Sequence, residues 1–112
     1  MDDANVGPLG EPTPPEKPGI GNVLTDVFAT LEQRKRDMPE DSYTAKLLAG
    51  DPDKLLKKIG EEATEVVMAA KNRDLEELRY EIADLIYHLL VVMVRDGMTL
   101  DDLAEELAGR RR

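Results

Sequence analysis

Cysteine is absent from this chain of 112 residues, and histidine occurs once. A chain without cysteine has no disulfide framework, no thiolate nucleophile and no cysteine-bound zinc, and it suits a reducing cytosol. The longest apolar run, around residues 85–94, is interrupted by His88 and is too short to span a bilayer. Residues 1–5 lack the charged-then-apolar order of a signal peptide. We therefore expect a soluble, cytoplasmic protein with no membrane partner.

Positive charge is also scarce. The chain has 15 lysines and arginines against 24 aspartates and glutamates, which gives a net charge of -9. A nucleic-acid-binding surface would be basic, so we expect no nucleic-acid partner. An acidic protein that handles phosphates would need a metal ion as an intermediary.

Proline and glycine are concentrated in residues 1–21, which contain five prolines, four glycines and almost no large apolar residues. Such a segment cannot bury a core, so we predict a disordered tail there and assign it no role. Residues 22–108 are predicted to form one all-α domain that resembles a helical bundle, and residues 109–112 a frayed end.

Apolar residues at helical spacing predict a first helix from Asn22 until Pro39 stops the pattern. We interpret residues 39–51 as a connection that contains only a short helical turn, opened by residues 47–48. A short final helix is predicted over residues 100–107.

Two long helices are predicted between these segments. The first covers residues 52–71, because Asp51 suits an N-cap and Pro52 suits the first helical position. Its apolar stripe is expected to be Leu55, Leu56, Ile59, Ala63, Val66 and Ala70. The second covers residues 75–95 and follows a tight turn at residues 72–73.

The two long helices should pack as an antiparallel hairpin. The helix over residues 75–95 is apolar in nearly every direction, apart from one strip formed by Glu81, Asp84 and His88. A helix that is apolar all round is buried on all sides, and the rest of this chain is too small to cover it. We therefore predict a homodimer in which two hairpins build a four-helix core.

The long helices carry two pairs of carboxylates, Glu62 with Glu65 and Glu81 with Asp84, and each pair shares one helix face. Glu65 and Glu81 lie seven and eight residues from the turn, so they should face each other, with the other two one turn farther along. Carboxylates about 5 Å apart repel by roughly 3 kcal/mol at an effective dielectric constant of about 20. A divalent cation removes that conflict, and all-oxygen ligation favours Mg²⁺ or Mn²⁺ over zinc.

A solvated acidic face is the alternative explanation for these carboxylates, as it is for most acidic runs. It fails for Glu81 and Asp84, because they interrupt an otherwise apolar helix. His88 lies one turn after Asp84 and is a candidate to ligate the metal ion or to orient a substrate, with an ordinary core histidine as the alternative.

Three segments closely resemble the phosphoribosyl-ATP pyrophosphohydrolase family: residues 42–47 (SYTAKL), 57–67 (KKIGEEATEVV) and 80–90 (YEIADLIYHLL). This family belongs to the all-α nucleoside-triphosphate pyrophosphatase (MazG-like) superfamily, whose signature is EExxE followed by ExxD. The resemblance covers about residues 23–107. It implies the second step of histidine biosynthesis, in which the α–β phosphoanhydride of phosphoribosyl-ATP is hydrolysed with Mg²⁺ to phosphoribosyl-AMP and pyrophosphate.

The resemblance also implies roles for the acidic residues. Glu62, Glu65, Glu81 and Asp84 would hold the metal ion. Bound Mg²⁺ would neutralise charge on the leaving pyrophosphate and acidify a water molecule. One carboxylate would activate that water, and Glu61 or Glu62 is our candidate.

Substrate contacts are predicted on both sides of the acidic motif. The candidates are Lys46, Lys57 and Lys58 for the phosphates, Tyr43 and Thr44 for the ribose or base, and His88. The alternative for the lysines is a solvated helix face, and the alternative for Tyr43 and Thr44 is packing of the connection.

Two other functions compete with this one. A house-cleaning nucleotide pyrophosphatase of the same superfamily would keep the carboxylates but would not need residues 42–44. A non-catalytic helical dimerisation module would explain the apolar helix but not its acids. Many relatives carry a fused cyclohydrolase domain with cysteine-bound zinc, which this chain lacks the length and the cysteines to form, so we expect the reaction to stop at phosphoribosyl-AMP.

Overall fold

Two long antiparallel helices form the centre of the computed structural model, which describes residues 17–111. The helices are α1 (Ile20–Asp37), α2 (Tyr43–Ala49), α3 (Pro52–Lys71), α4 (Leu75–Asp96) and α5 (Leu100–Ala108). The described part of the chain contains no strand, so the predicted all-α class is confirmed. Residues 1–16, most of the predicted disordered tail, and residue 112 of the predicted frayed end lie outside the described residues.

The hairpin of α3 and α4 begins and turns where the sequence predicts. The Asp51 carboxylate accepts the backbone N–H of Asp53 at 2.9 Å and caps α3. At the turn, Arg73 adopts a left-handed conformation with φ of 55°. The Asp74 carboxylate then accepts the backbone N–H of Glu77 at 3.1 Å and caps α4. These contacts fix the register in which α3 and α4 face each other.

Two predicted helix starts were wrong. α1 begins at Ile20, so the last residues of the predicted tail are helical. α2 begins at Tyr43 and is a complete helix of seven residues, where only a short turn was predicted. The reason is that the Ser42 hydroxyl accepts the backbone N–H of Ala45 at 3.1 Å and acts as an N-cap.

Side chains of α4 hold α2 in place at both of its ends. The Arg95 guanidinium donates to the carbonyl oxygens of Leu47 at 3.1 Å and Gly50 at 2.6 Å, at the carboxyl end of α2. In the first turn of α2, the hydroxyls of Thr44 and Tyr87 share a hydrogen bond. The first turn of α2 therefore lies against the hairpin.

The hydrophobic core consists of Phe28, Leu31, Leu55, Leu90, Val91, Met93 and Val94, from α1, α3 and α4. The predicted apolar stripe of α3 was partly wrong, because Leu56 is 55% exposed and Ala70 is exposed as well. The buried residues of α3 are Leu55, Glu62 and Ala69. They repeat every seven residues and so form one line along the helix, since seven residues make about two turns. Glu62 occupies the middle of this line.

Apolar side chains of α4 stay exposed in the single chain, as predicted. Ile82 is 41% exposed, Ile86 37% and Leu89 42%. Ile82 and Ile86 line an apolar groove of about 470 Å³ together with residues of α1. Among the residues that the structure describes, no helix is long and apolar enough to cross a membrane.

Candidate active site in the helical hairpin

Four carboxylates from α3 and α4 come together across the hairpin. Carboxylate oxygens of Glu62, Glu65 and Glu81 lie within 4.8 Å of one another. Glu62 also belongs to a second group, with Asp84 and His88, whose ligand atoms lie within 4.8 Å of one another. The structure thus brings the two predicted pairs together, and Glu62 is the residue that both groups share. We call these four carboxylates the acidic cluster.

The acidic cluster has a buried side and an open side. Glu62 is 1% exposed and Glu81 4%, so both are buried although they are acids. Glu65 is exposed, and the Asp84 side chain is 31% exposed. A ligand can therefore reach the cluster from solvent while the buried carboxylates stay shielded by the helices.

Glu62 has one oxygen that is paired and one that is not. The Lys58 ammonium lies 2.9 Å from Oε1 of Glu62. Oε2 is buried and has no hydrogen-bond partner among residues 17–111. A buried acceptor without a partner costs about 1–3 kcal/mol, and more when it is charged. Oε2 is therefore in a position to bind a cation.

The pKa of Glu62 and the pKa of Asp84 move in opposite directions. Burial raises the pKa of Glu62, but contacts with the Asp84 carboxyl and the Lys58 ammonium outweigh burial and hold that pKa below its usual value. The pKa of Asp84 is raised by burial and by its contact with Glu62. Of these two carboxyl groups, Glu62 is therefore the one that loses its proton more readily and carries the negative charge.

Glu81 holds a proton to near neutral pH. Its pKa is raised to about 7, first by the hydrogen bond that it shares with Glu65, then by burial and by the negative charges of Glu65, Glu77 and Glu62. A divalent cation could replace that proton. A donor set of carboxylate oxygens, one of them buried without a partner, fits a hard cation such as Mg²⁺ or Mn²⁺.

His88 is 2% exposed and has a hydrogen bond at each ring nitrogen. Nδ1 lies 2.8 Å from the main-chain carbonyl oxygen of Asp84, which can only accept, so Nδ1 carries the proton and donates. In the neutral imidazole, Nε2 then accepts from the Tyr43 hydroxyl at 2.9 Å. Binding of a metal ion by His88 would require the loss of one of these bonds, so the geometry favours a role in orienting Tyr43.

Tyr43 and Thr44 occupy different environments, although both were predicted to contact the substrate. Tyr43 is 52% exposed and lies beside the acidic cluster. Burial of its hydroxyl raises the pKa of Tyr43, an effect that the positive charge of Lys58 opposes and the negative charge of Asp84 reinforces. Thr44 is 4% exposed and bonds to Tyr87, a residue that our sequence analysis did not select. The position of Tyr87 directly before His88 was the sequence signal that could have identified it.

Four predicted site residues remain, of which one lies at the acidic cluster and three lie outside it. Lys58 is at the cluster, and its pKa is raised by the hydrogen bond to Glu62 and by the charge of that residue. Glu61, Lys46 and Lys57 are exposed, and none of them forms an ion pair or side-chain hydrogen bond within residues 17–111. The structure therefore does not bring Glu61 into the acidic cluster.

Comparison with known proteins adds independent information. The model of the phosphoribosyl-ATP pyrophosphohydrolase family matches residues 24–111. The chain is 50% identical over 93 residues to the phosphoribosyl-ATP pyrophosphatase of Haloarcula marismortui, an alignment that covers 81% of this chain and 95% of that protein. It is also 50% identical over 90 residues to the phosphoribosyl-ATP pyrophosphatase of Haloquadratum walsbyi, with 79% and 90% covered.

A third relative is longer. The histidine biosynthesis bifunctional protein HisIE of Thermus thermophilus is 50% identical over 93 residues, which cover 83% of this chain and 44% of that protein. The chain thus spans less than half the length of this bifunctional relative. All three matches extend over most of the chain.

Proposed function

The chain belongs to the phosphoribosyl-ATP pyrophosphohydrolase family, and from this premise we propose that it hydrolyses the α–β phosphoanhydride of phosphoribosyl-ATP. The products are phosphoribosyl-AMP and pyrophosphate, in the second step of histidine biosynthesis. The observation that carries the proposal is the meeting of four carboxylates across the hairpin around the unpartnered oxygen of Glu62. A helical module without catalytic function offers no reason for this buried negative charge.

We assign the metal ion to Glu62, Glu65, Glu81 and Asp84, with Mg²⁺ as the expected ion and Mn²⁺ able to replace it. When bound, such a cation neutralises phosphate oxygens and lowers the pKa of a water molecule. The raised pKa of Glu81 and the free Oε2 of Glu62 support this assignment.

The chain's own residues supply charge and orientation. Lys58 is 40% exposed while it pairs with Glu62, so its ammonium can also contact a phosphate at the open side of the cluster. Lys46 and Lys57 are exposed and can add positive charge farther out. Between the two candidates for water activation, the geometry favours Glu62, because Glu61 lies outside the cluster.

We propose that the enzyme is a cytoplasmic homodimer. A second copy that covered Ile82, Ile86 and Leu89 would remove apolar surface from water and complete a four-helix core. Each of these three residues is at least 37% exposed in the single chain. The substrate is a highly charged phosphate ester, which does not cross a membrane unaided, and this favours the cytoplasm.

The test is pyrophosphate release from phosphoribosyl-ATP and from a panel of ordinary nucleoside triphosphates, with Mg²⁺ and with a chelator. Glu81→Gln should strongly reduce metal-dependent release, whereas Glu76→Gln, an exposed control on the same helix, should keep it. Release from the panel rather than from phosphoribosyl-ATP would instead favour a house-cleaning pyrophosphatase. No release from any substrate would leave only a helical dimerisation module.

A further inference from the structure

A second cavity, of about 640 Å³, adjoins the first turn of α2. Its volume lies in the range of small-molecule sites. Its wall includes Arg34, Asp37, Asp41, Ser42, Thr44 and Tyr87. These residues come from the end of α1, the connection to α2, the start of α2 and the middle of α4. We call this space the α1–α2 cavity.

The α1–α2 cavity and the acidic cluster are joined through three aromatic rings. The His88 ring contacts the Tyr43 ring, with centroids 5.9 Å apart, and the Tyr87 ring, with centroids 5.7 Å apart. Tyr87 lines the cavity, whereas His88 belongs to the group that contains Glu62 and Asp84. One layer of rings therefore separates the two sites, which makes them neighbours in the fold.

Arg34 is the cation of the α1–α2 cavity. It is half-buried, and it forms no ion pair and no side-chain hydrogen bond with any other residue in the range 17–111. A guanidinium matches the geometry of a phosphate and can donate two parallel hydrogen bonds to it. At the acidic cluster, by contrast, Lys58 is already paired with Glu62. The cavity thus offers a free cation that the cluster lacks.

The other polar groups of the cavity fit a sugar. The Asp37 and Asp41 carboxylates are acceptors for hydroxyl groups, and the Ser42 hydroxyl can donate or accept. The guanidinium can bind a phosphate, and the two carboxylates and the hydroxyl can bind the hydroxyl groups of a sugar, so the lining suits a phosphorylated sugar. The carboxylates would repel the more highly charged triphosphate more strongly than a single phosphate, so the triphosphate end of a nucleotide fits this cavity less well.

Phosphoribosyl-ATP differs from ATP by a second ribose 5-phosphate, which is attached to the adenine ring. On the basis of the proposed function, we propose that the α1–α2 cavity binds this second ribose 5-phosphate, with Arg34 contacting its phosphate. The triphosphate then lies at the acidic cluster. Arg34 is in this way a residue that selects phosphoribosyl-ATP over ordinary nucleoside triphosphates.

The kinetic test compares the native chain with Arg34→Met, Arg34→Lys and the control Arg36→Met, which changes an exposed arginine outside the cavity. Loss of a charge-assisted hydrogen bond predicts that Arg34→Met lowers kcat/KM for phosphoribosyl-ATP about 10- to 100-fold. The loss should appear mainly in KM, because the phosphate is remote from the scissile bond. Arg34→Lys should recover part of it, and Arg36→Met should resemble the native chain.

A binding measurement without turnover separates this inference from the proposed function. Calorimetry should show that the native chain binds phosphoribosyl-AMP more tightly than AMP, and that Arg34→Met removes the difference. Equal affinities of the native chain for the two nucleotides, or an unchanged difference in Arg34→Met, would overturn the inference while phosphoribosyl-ATP hydrolysis still stood. Absence of that hydrolysis in the native chain would instead overturn the proposed function.

Discussion

The acidic cluster has two halves that hold their charge in different ways. In the lysine half, formed by Glu62 and Asp84, the Lys58 ammonium lies 2.9 Å from Glu62. In the proton half, formed by Glu65 and Glu81, neither carboxylate forms an ion pair within residues 17–111, and a shared hydrogen bond raises the pKa of Glu81 to about 7. In the lysine half Glu62 keeps its charge because its pKa is lowered, whereas in the proton half Glu81 must first lose a proton before a metal ion can bind.

The difference shows that the surroundings, and not the residue type, decide what a carboxylate does in this site. Glu62 is the most buried of the four, yet its pKa is lowered. Glu81 is almost as buried, and its pKa is raised. Hydrogen bonds from the Asp84 carboxyl and the Lys58 ammonium hold Glu62 in its charged form. The hydrogen bond between Glu81 and Glu65 instead keeps the proton on Glu81, and this difference accounts for the contrast.

The largest effect is expected in the lysine half, from Glu62→Gln. This change removes the carboxylate that both ligand groups share and leaves Lys58 without its partner. Pyrophosphate release from phosphoribosyl-ATP should fall on the order of 1000-fold, as when electrostatic stabilisation is lost from other active sites. The matched control is Glu61→Gln, at an exposed position outside the cluster. A greater loss in Glu61→Gln would show that Glu61, and not Glu62, is the essential carboxylate.

In the proton half, Glu81→Gln should have opposite effects with and without metal. The folded-state pKa of Glu81, about 7, lies above its ordinary value of 4.5, so the folded chain binds this proton more tightly than the unfolded chain. The resulting stability is fully present below pH 4.5 and is lost as the pH rises to 7. Without metal at pH 8, Glu81→Gln should therefore melt at a higher temperature than the native chain.

With Mg²⁺ present, the order of the two melting temperatures should reverse. A ligand at 100 times its Kd stabilises the native chain by about 2.7 kcal/mol, and the variant has lost a metal-binding oxygen. Thermal melts at pH 8 with and without Mg²⁺ measure both effects. Equal Mg²⁺-dependent stabilisation of the two chains would show that Glu81 does not bind the metal ion.

The smallest effect is expected from Tyr43→Phe, which removes the hydrogen bond to His88 beside the lysine half. The buried Nε2 then lacks its donor, so the free energy of unfolding should fall by about 1 kcal/mol in urea denaturation. Tyr80→Phe is a suitable control, because Tyr80 is 66% exposed on α4. The same loss in both variants would contradict a specific role for the Tyr43 hydroxyl.

Much of the hairpin could be predicted from the sequence, because the residues that determine its helix starts and its turn lie next to those features in the chain. Asp51 and Asp74 are N-caps, and the number of residues from the turn places Glu65 opposite Glu81. The buried face of α3 was predicted only in part, because apolar residues occur on several faces of this helix. The Lys58 ammonium, one turn before Glu62, helps to explain why an acid can occupy the middle of the buried line.

The α1–α2 region was harder to predict, because distant residues hold it together. α2 is anchored by Arg95 and by Tyr87 of α4, and neither contact can be inferred from local spacing. Arg34 was part of a polar run at the end of the first predicted helix. It lies three residues after the buried Leu31, on the same face of α1, and that spacing was the signal for its partial burial.

The most direct test of the account is the affinity for Mg²⁺ between pH 6 and 8.5, measured by calorimetry in two buffers so that proton release is counted. Because Glu81 must lose its proton, the affinity should rise by about tenfold per pH unit below 7 and level off above it, with about one proton released at pH 6. An affinity that does not change over this range, without proton release, would contradict the claim that a metal ion replaces the proton shared by Glu65 and Glu81.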